Sequence, residues 1–116
     1  MSGMYNDWKE ELDKEFALAD AARAAGNEGR ARVCARRAAG IAAREYLSRR
    51  GESVATLSAY DLLHQLAESK DTPSGIKEIS IHLTMRVSED FKLPIDADLV
   101  DESRRLCTTL LPEWKS

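Results

Sequence analysis

The sequence predicts an all-α protein, an antiparallel bundle of four to five helices in a single domain over residues 1–116. Three observations carry that expectation. Apolar residues recur at three- and four-residue intervals through most of the chain, the period of an amphipathic helix. The segment Arg23 to Arg50 is dense in alanine, the strongest helix former. The connection at Gly26-Asn27 is only a few residues, so the first two helices must fold back as an antiparallel hairpin. No stretch alternates convincingly as a strand would.

The first helix carries the stripe Tyr5, Trp8, Leu12, Phe16 and Ala19, with Asp7 and Glu10 at the spacing of an N-terminal cap. Gly26 ends it and Asn27 caps the next. The second helix is expected over Glu28 to Arg50. Its inner side is Ala31, Cys34, Ala35, Ala38, Ala42 and Tyr46, flanked by Ala39 and Ile41. Gly51 terminates it beyond Arg49 and Arg50, which suit the negative end of the helix dipole. Gly40, in the interior, costs about 1 kcal/mol relative to alanine. A glycine fits there best if a neighbouring helix presses on that spot.

Ser58 and Asp61 open a short third helix with Ala59, Leu62, Leu63, Leu66 and Ala67 on its buried side. Thr72 as cap and Pro73 in the first turn open a fourth. Its inner face is Ile76, Ile79, Leu83 and Val87, widened by Ile81 and Met85, broad enough for two neighbours or a partner subunit. Residues 89–95 read as a loop, with Phe91, Leu93 and Ile95 turned inward. Pro94 and Asp96 launch the last helix, whose stripe is Leu99, Ser103, Leu106, Cys107 and Leu110, and Pro112 ends it.

Composition bounds the function. The chain has 116 residues, 43% hydrophobic and 32% charged, an ordinary globular composition. No apolar run approaches the roughly 18 residues of a membrane span, and the first residues lack the basic start and apolar stretch of a secretory signal, so the expected compartment is the cytoplasm. Cys34 and Cys107 both fall on apolar helix faces, where reduced cysteine acts as a small hydrophobe. Neither has a ligand at metal spacing, and no metal or cofactor is expected. The sequence holds no Gly-rich phosphate loop and no paired catalytic carboxylates.

Charge is unevenly placed. Eight arginines against Glu28 and Glu45 leave residues 23–50 at +6 in a chain of net charge −3, so the rest sums to −9. Arg30, Arg37 and Arg44 are seven apart and share one helical face, and Arg32 and Arg36 share a neighbouring one. Such a row can hold phosphates, since guanidinium binds them bidentately, or it can pair with acids of the first and last helices. Those acids are Glu10, Glu11, Asp13 and Glu15, or Asp98, Asp101 and Glu102. Ion pairing is the preferred reading, because a charge run is more often a solvated face. His64 and His82 lie beside apolar faces and read as partly buried, hydrogen-bonded structural histidines.

The pattern as a whole resembles the HEPN family, the nucleotide-binding domain of higher eukaryotes and prokaryotes. The residues that carry the resemblance are Trp8, Leu12, Ala17 and Ala21, then Ala25, Gly26 and Asn27. Ala31, Val33, Arg37, Ala38, Ala39, Ala43, Leu47, Arg50 and Gly51 continue it. Ala59 to Leu63 is similar to the segment where many members begin His-Asp-Leu, with Tyr60 in place of that histidine. Phe91 to Asp96, Leu99 and Ser103 to Leu106 resemble the closing loop and helix. The resemblance implies a homodimeric bundle, often partnered with a minimal nucleotidyltransferase in a toxin–antitoxin pair, and in many members a metal-independent ribonuclease. The ribonucleases use an arginine followed a few residues later by a histidine. Here Arg86 is followed at that distance by Asp90, Phe91 and Lys92, so ribonuclease activity does not carry over. The function expected is a non-catalytic module acting by protein association. The alternative is RNA or nucleotide binding through Arg30, Arg37, Arg44 and Arg86.

Overall fold

The computed structural model describes the backbone of residues 2–85 and 97–115, with side chains from Asp7 onward. All regular structure among these residues is helical. The elements are α1 (Ser2–Ala24), α2 (Glu28–Arg49), α3 (Ala59–Glu68), α4 (Ser74–Thr84) and α5 (Leu99–Leu110), then a 3₁₀ turn, Pro112–Lys115. None of the described helices is long and apolar enough to cross a membrane.

The hairpin of α1 and α2 is set by the chain between them. Gly26 sits at φ 80°, a left-handed conformation that glycine adopts without steric cost. That lets Asn27 N–H donate back to Ala22 O (2.8 Å) and Gly26 N–H to Arg23 O (3.0 Å), the Schellman closure of α1. The Asn27 side chain then accepts the Arg30 N–H and caps α2. The same closure recurs after α2, where Gly51 N–H reaches Ser48 O and Glu52 N–H reaches Leu47 O, both at 3.1 Å.

The alanine helix α2 is the hub, packed against α1, α3, α4 and α5. Its buried face is Ala31, Cys34, Ala35, Ala38, Ala39, Gly40, Ala42, Ala43 and Leu47. Small side chains bring backbones close, and the bulk of the core comes from Leu12 and Phe16 of α1, Leu63 and Leu66 of α3, Leu83 of α4 and Leu106 of α5. Gly40 answers to a neighbour, as its placement demanded. A Cβ there would lie 2.6 Å from Ala59 Cβ and 2.8 Å from Ala59 Cα, so the first turn of α3 rests on bare backbone.

The ends differ from the expectation in three places. Helix α1 begins at Ser2, so Asp7 is interior rather than a cap; with no proline before it, nothing stops the helix there. Pro73 is the cap residue of α4, ahead of Ser74, and the Thr72 hydroxyl is buried without a hydrogen-bond partner instead of capping. Helix α5 starts at Leu99, because the Asp98 carboxylate accepts the Asp101 N–H at 3.1 Å; Pro94 and Asp96 lie outside the described residues, as do Val87, Phe91, Leu93 and Ile95. Pro112 follows the end of α5 and opens the 3₁₀ turn, which lays Trp114 on Phe16 with ring centroids 5.3 Å apart. The Trp114 indole N–H donates to Asp13 at 2.9 Å, which ties the end of the described chain to α1.

One inner face, that of α4, also differs from the expectation. Ile81 is 50% exposed and turns away from the core rather than widening it. Ser80, fully buried on α4, takes part of the inner face instead and satisfies its hydroxyl by donating to Ile76 O at 2.9 Å. On α5, Ser103 does the same across helices, donating to Ala35 O of α2 at 2.7 Å. Cys34 and Cys107 are both free and buried, as the apolar stripes required.

Candidate functional site, an arginine-rimmed groove on the second helix

The outward face of α2 is shaped by which arginines find acids. At the start, Arg23 grips two carboxylates, with Nη2 2.6 Å from Glu28 Oε2 and 3.1 Å from Asp98 Oδ1. The guanidinium holds both carboxyls below their ordinary values, by hydrogen bonding first and charge second. At the far end, Arg49 pairs with Glu45 and Glu113 and lies over the Trp8 ring, and Arg50 pairs with Asp71 at 2.6 Å. Arg44 makes one long pair, 3.7 Å to Glu11.

The middle of the row is different. Arg30 and Arg37 are exposed, and neither side chain has a hydrogen bond or ion pair among the described residues. The expectation that acids of the first and last helices cover the row therefore holds for Arg44 and not for Arg30 or Arg37. Of the acids on those helices, Glu11 reaches Arg44, while Asp13 is engaged by Trp114 and Lys115, Asp98 by Arg23, Asp101 by Arg105, and Glu102 by His82. Arg86 lies outside the described residues.

Beside Arg37 and Arg44 the surface opens into a groove of about 450 Å³. Its lining is Val33, Arg36, Arg37, Gly40, Ile41 and Arg44 of α2, Glu15 of α1, and Leu57, Ala59 and Leu62 from the third-helix side. Arg36 is held in place, its Nε donating to Leu83 O at 2.7 Å. Leu57 is 80% exposed and Val33 39%, so the apolar lining is open to solvent. One polar atom stands out: among the described residues Glu15 Oε1 is buried without a hydrogen-bond partner, a state that costs about 1–3 kcal/mol. A second hollow, sharing Val33 and Arg36 with the first, is lined by Arg30, Arg32 and the start of α2.

Sequence reading singled out Arg30, Arg37 and Arg44 but not the groove. Leu57 and Glu15 come to it from other elements, and only folding places them there. The one legible sign was Val33 and Ile41, larger than the alanines around them.

The histidines take separate environments. His82 bridges α4 and α5, with Nδ1 2.8 Å from Glu102 Oε1 and Nε2 3.7 Å from Glu78 Oε1, a half-buried, hydrogen-bonded histidine as expected. His64 is exposed instead, its ring set edge-on to Tyr60 at 4.5 Å between centroids. It faces solvent because α3 buries only Leu62, Leu63 and Leu66. Among the described residues, no three His, Cys, Asp or Glu side chains gather as a metal site.

Fold and surface together define an all-helical protein, among the described residues, with an open, cation-rimmed apolar groove along α2. No protein-family model, curated protein or solved structure matches the chain.

Proposed function

We propose that this chain is a HEPN-like helical module that acts by associating with protein, as a homodimer or beside a nucleotidyltransferase or other toxin–antitoxin partner, without catalysing a reaction itself. The observation that supports this reading is the groove on α2. Leu57 at 80% exposure, with Val33 and Ile41 beside it, leaves an apolar strip in water, and contiguous apolar surface of this kind is what association covers. Its arginine rim adds the charge that selects a partner and fixes its register. The HEPN likeness rests on the sequence pattern of the α1–α2 hairpin and the closing helix, and it is this likeness that suggests the dimer and the nucleotidyltransferase.

Light scattering on the purified chain at micromolar concentration tests the association. An assembly of two chains, or a stable complex with a co-expressed nucleotidyltransferase, is the expected result. A monomer that forms neither refutes the reading. The alternative, RNA or nucleotide binding through Arg30, Arg37, Arg44 and Arg86, is favoured by the lack of acid partners for Arg30 and Arg37 among the described residues. It requires affinity that falls steeply with salt, because phosphate contacts release counterions. Binding of RNA or ATP unchanged in an Arg37→Ala, Arg44→Ala double variant refutes it.

A further inference from the structure

The association reading leaves open what the groove takes, and three features of the surface narrow the choice. The first is shape. The groove is lined by Val33 and Ile41 along α2, by Glu15 of α1 and by Leu57 and Leu62 from the third-helix side. Gly40 and Ala59 are already packed on each other, so the open length offers the apolar side chains Val33, Ile41 and Leu57, on which a second helix can lie. The second is spacing. Arg30, Arg37 and Arg44 recur every seven residues, which sets them about 10.5 Å apart along the axis. A helix laid alongside presents one residue every two turns at that same interval.

The third feature is charge. The groove carries Arg36, Arg37 and Arg44 against Glu15 in its lining and Glu11 at 3.7 Å from Arg44, a net positive rim that favours an occupant acidic at its edge and apolar at its centre. A second copy docked by a two-fold axis on this face would set the arginine row against itself, which costs rather than gains. A nucleic acid would bring phosphate against the Glu15 carboxylate and leave Leu57 with no apolar cover. An amphipathic helix satisfies both, and a polar side chain on it can donate to Glu15 Oε1, which has no partner among the described residues.

We propose that the groove formed by α2 with Glu15 and Leu57 docks one amphipathic helix of a partner protein, its apolar stripe on Val33, Ile41 and Leu57 and its acids, spaced by seven, on Arg37 and Arg44. This rests on the association reading and adds the chemistry of the partner. The mode is helix-in-groove recognition, with apolar anchors supplying affinity and the flanking charges supplying register.

Fluorescence anisotropy with a synthetic helix tests it. The probe is a labelled peptide of about 21 residues, three heptads, with leucine on the seam and glutamate flanking it. A second peptide carries lysine in place of every glutamate, and a single-stranded oligouridylate serves as the third probe. The glutamate peptide is expected to bind and the lysine peptide not. Arg37→Glu and Leu57→Asp, both at exposed positions, are each expected to weaken the glutamate peptide by about tenfold or more, with unchanged circular dichroism. Arg105→Glu on α5 is expected to have no effect.

Equal binding of the two peptides, or a glutamate peptide indifferent to Arg37→Glu and Leu57→Asp, overturns the proposal. Oligouridylate that displaces the peptide and depends on Arg37 overturns it in favour of nucleic-acid binding. A homodimer dissolved by Leu57→Asp overturns it in favour of a second copy. If the glutamate peptide fails to bind while light scattering still finds an assembly unaffected by Leu57→Asp, the docking site is refuted and the association reading stands. A monomer that binds the glutamate peptide refutes the homodimer alone.

Discussion

Replacing Gly40 by alanine sets two effects of opposite sign against each other, and the structure decides which wins. Helix propensity alone makes Gly40→Ala stabilising by about 1 kcal/mol, since Gly40 is in the interior of α2. The added methyl would stand 2.6 Å from Ala59 Cβ and 2.8 Å from Ala59 Cα, where carbon pairs rest at about 3.5–4.0 Å. One of those atoms is backbone, so no rotamer relieves the overlap. The first turn of α3 has to move by about 1 Å, and overpacking of this kind costs about 1–3 kcal/mol. Taking the upper half of that range, the net effect is a loss of about 1–2 kcal/mol, or a melting temperature about 4–8 °C lower at this chain length. Thermal unfolding followed by circular dichroism reads it directly. Adding Ala59→Gly removes the 2.6 Å contact but not the 2.8 Å one, so the double variant should recover only part of the loss, and the cycle should show a favourable coupling. A Gly40→Ala protein that melts higher than the parent would show that propensity dominates and that the contact with Ala59 is not tight.

Three other outcomes follow from contacts already described. Trp114→Ala removes the ring stacked on Phe16 and the donor to Asp13, and urea unfolding should show a loss of about 3 kcal/mol; a loss below about 1 kcal/mol would mean the 3₁₀ turn is loosely attached. Arg23 depresses the carboxyls of Glu28 and Asp98. A depressed carboxyl stabilises the fold above its unfolded value near 4 and loses that contribution as the pH falls through its folded value. The parent should therefore exceed Arg23→Gln by about 1 kcal/mol at neutral pH, a small figure because all three groups are over a third exposed. The difference should shrink toward zero as the pH is lowered from about 5 to 2, and one that stays constant over that range would refute the assignment. Burial pushes the Cys107 thiol up to about 12, and Cys34 is equally enclosed. Ellman's reagent should leave the native protein unlabelled for minutes and modify both cysteines once denaturant is added; rapid native labelling would indicate that α2 and α5 separate readily.

The helices were legible in the sequence because each has a local cause. The α2 boundaries follow from Asn27 and Gly51, the start of α3 from Ser58, and the buried stripe of α5 from the spacing of Leu99, Ser103, Leu106, Cys107 and Leu110. Even the contact at Gly40 could be anticipated, since an interior glycine in an alanine helix has few other uses. What failed were choices between equally local signals. Asp7 with Glu10 has the spacing of a cap, and Thr72 the chemistry of one, but a cap also needs the helix to begin there. Ile81 was assigned inward on composition, while Ser80, one residue earlier, holds the inner position by closing its own hydrogen bond. The arginine row was visible, its openness was not. Which acids reach the row is decided by the fold: Glu11 meets Arg44, while Asp13 goes to Trp114 and Glu102 to His82, pairings 101 and 20 residues apart in the chain.

The alanine face of α2 has a consequence for how a protein of this design can diverge. Helices on the outside can exchange Leu for Met or Ile and repack at modest cost. The positions buried on α2, from Ala31 through Ala43, face four other helices, so a larger side chain there has to displace packed neighbours, and there is little in them to trade. The tightest limits on the sequence are thus written in its commonest and least distinctive residue. Kinship between two such chains would survive longest as a shared pattern of forbidden bulk along one helix, a record that counts of identical residues register poorly.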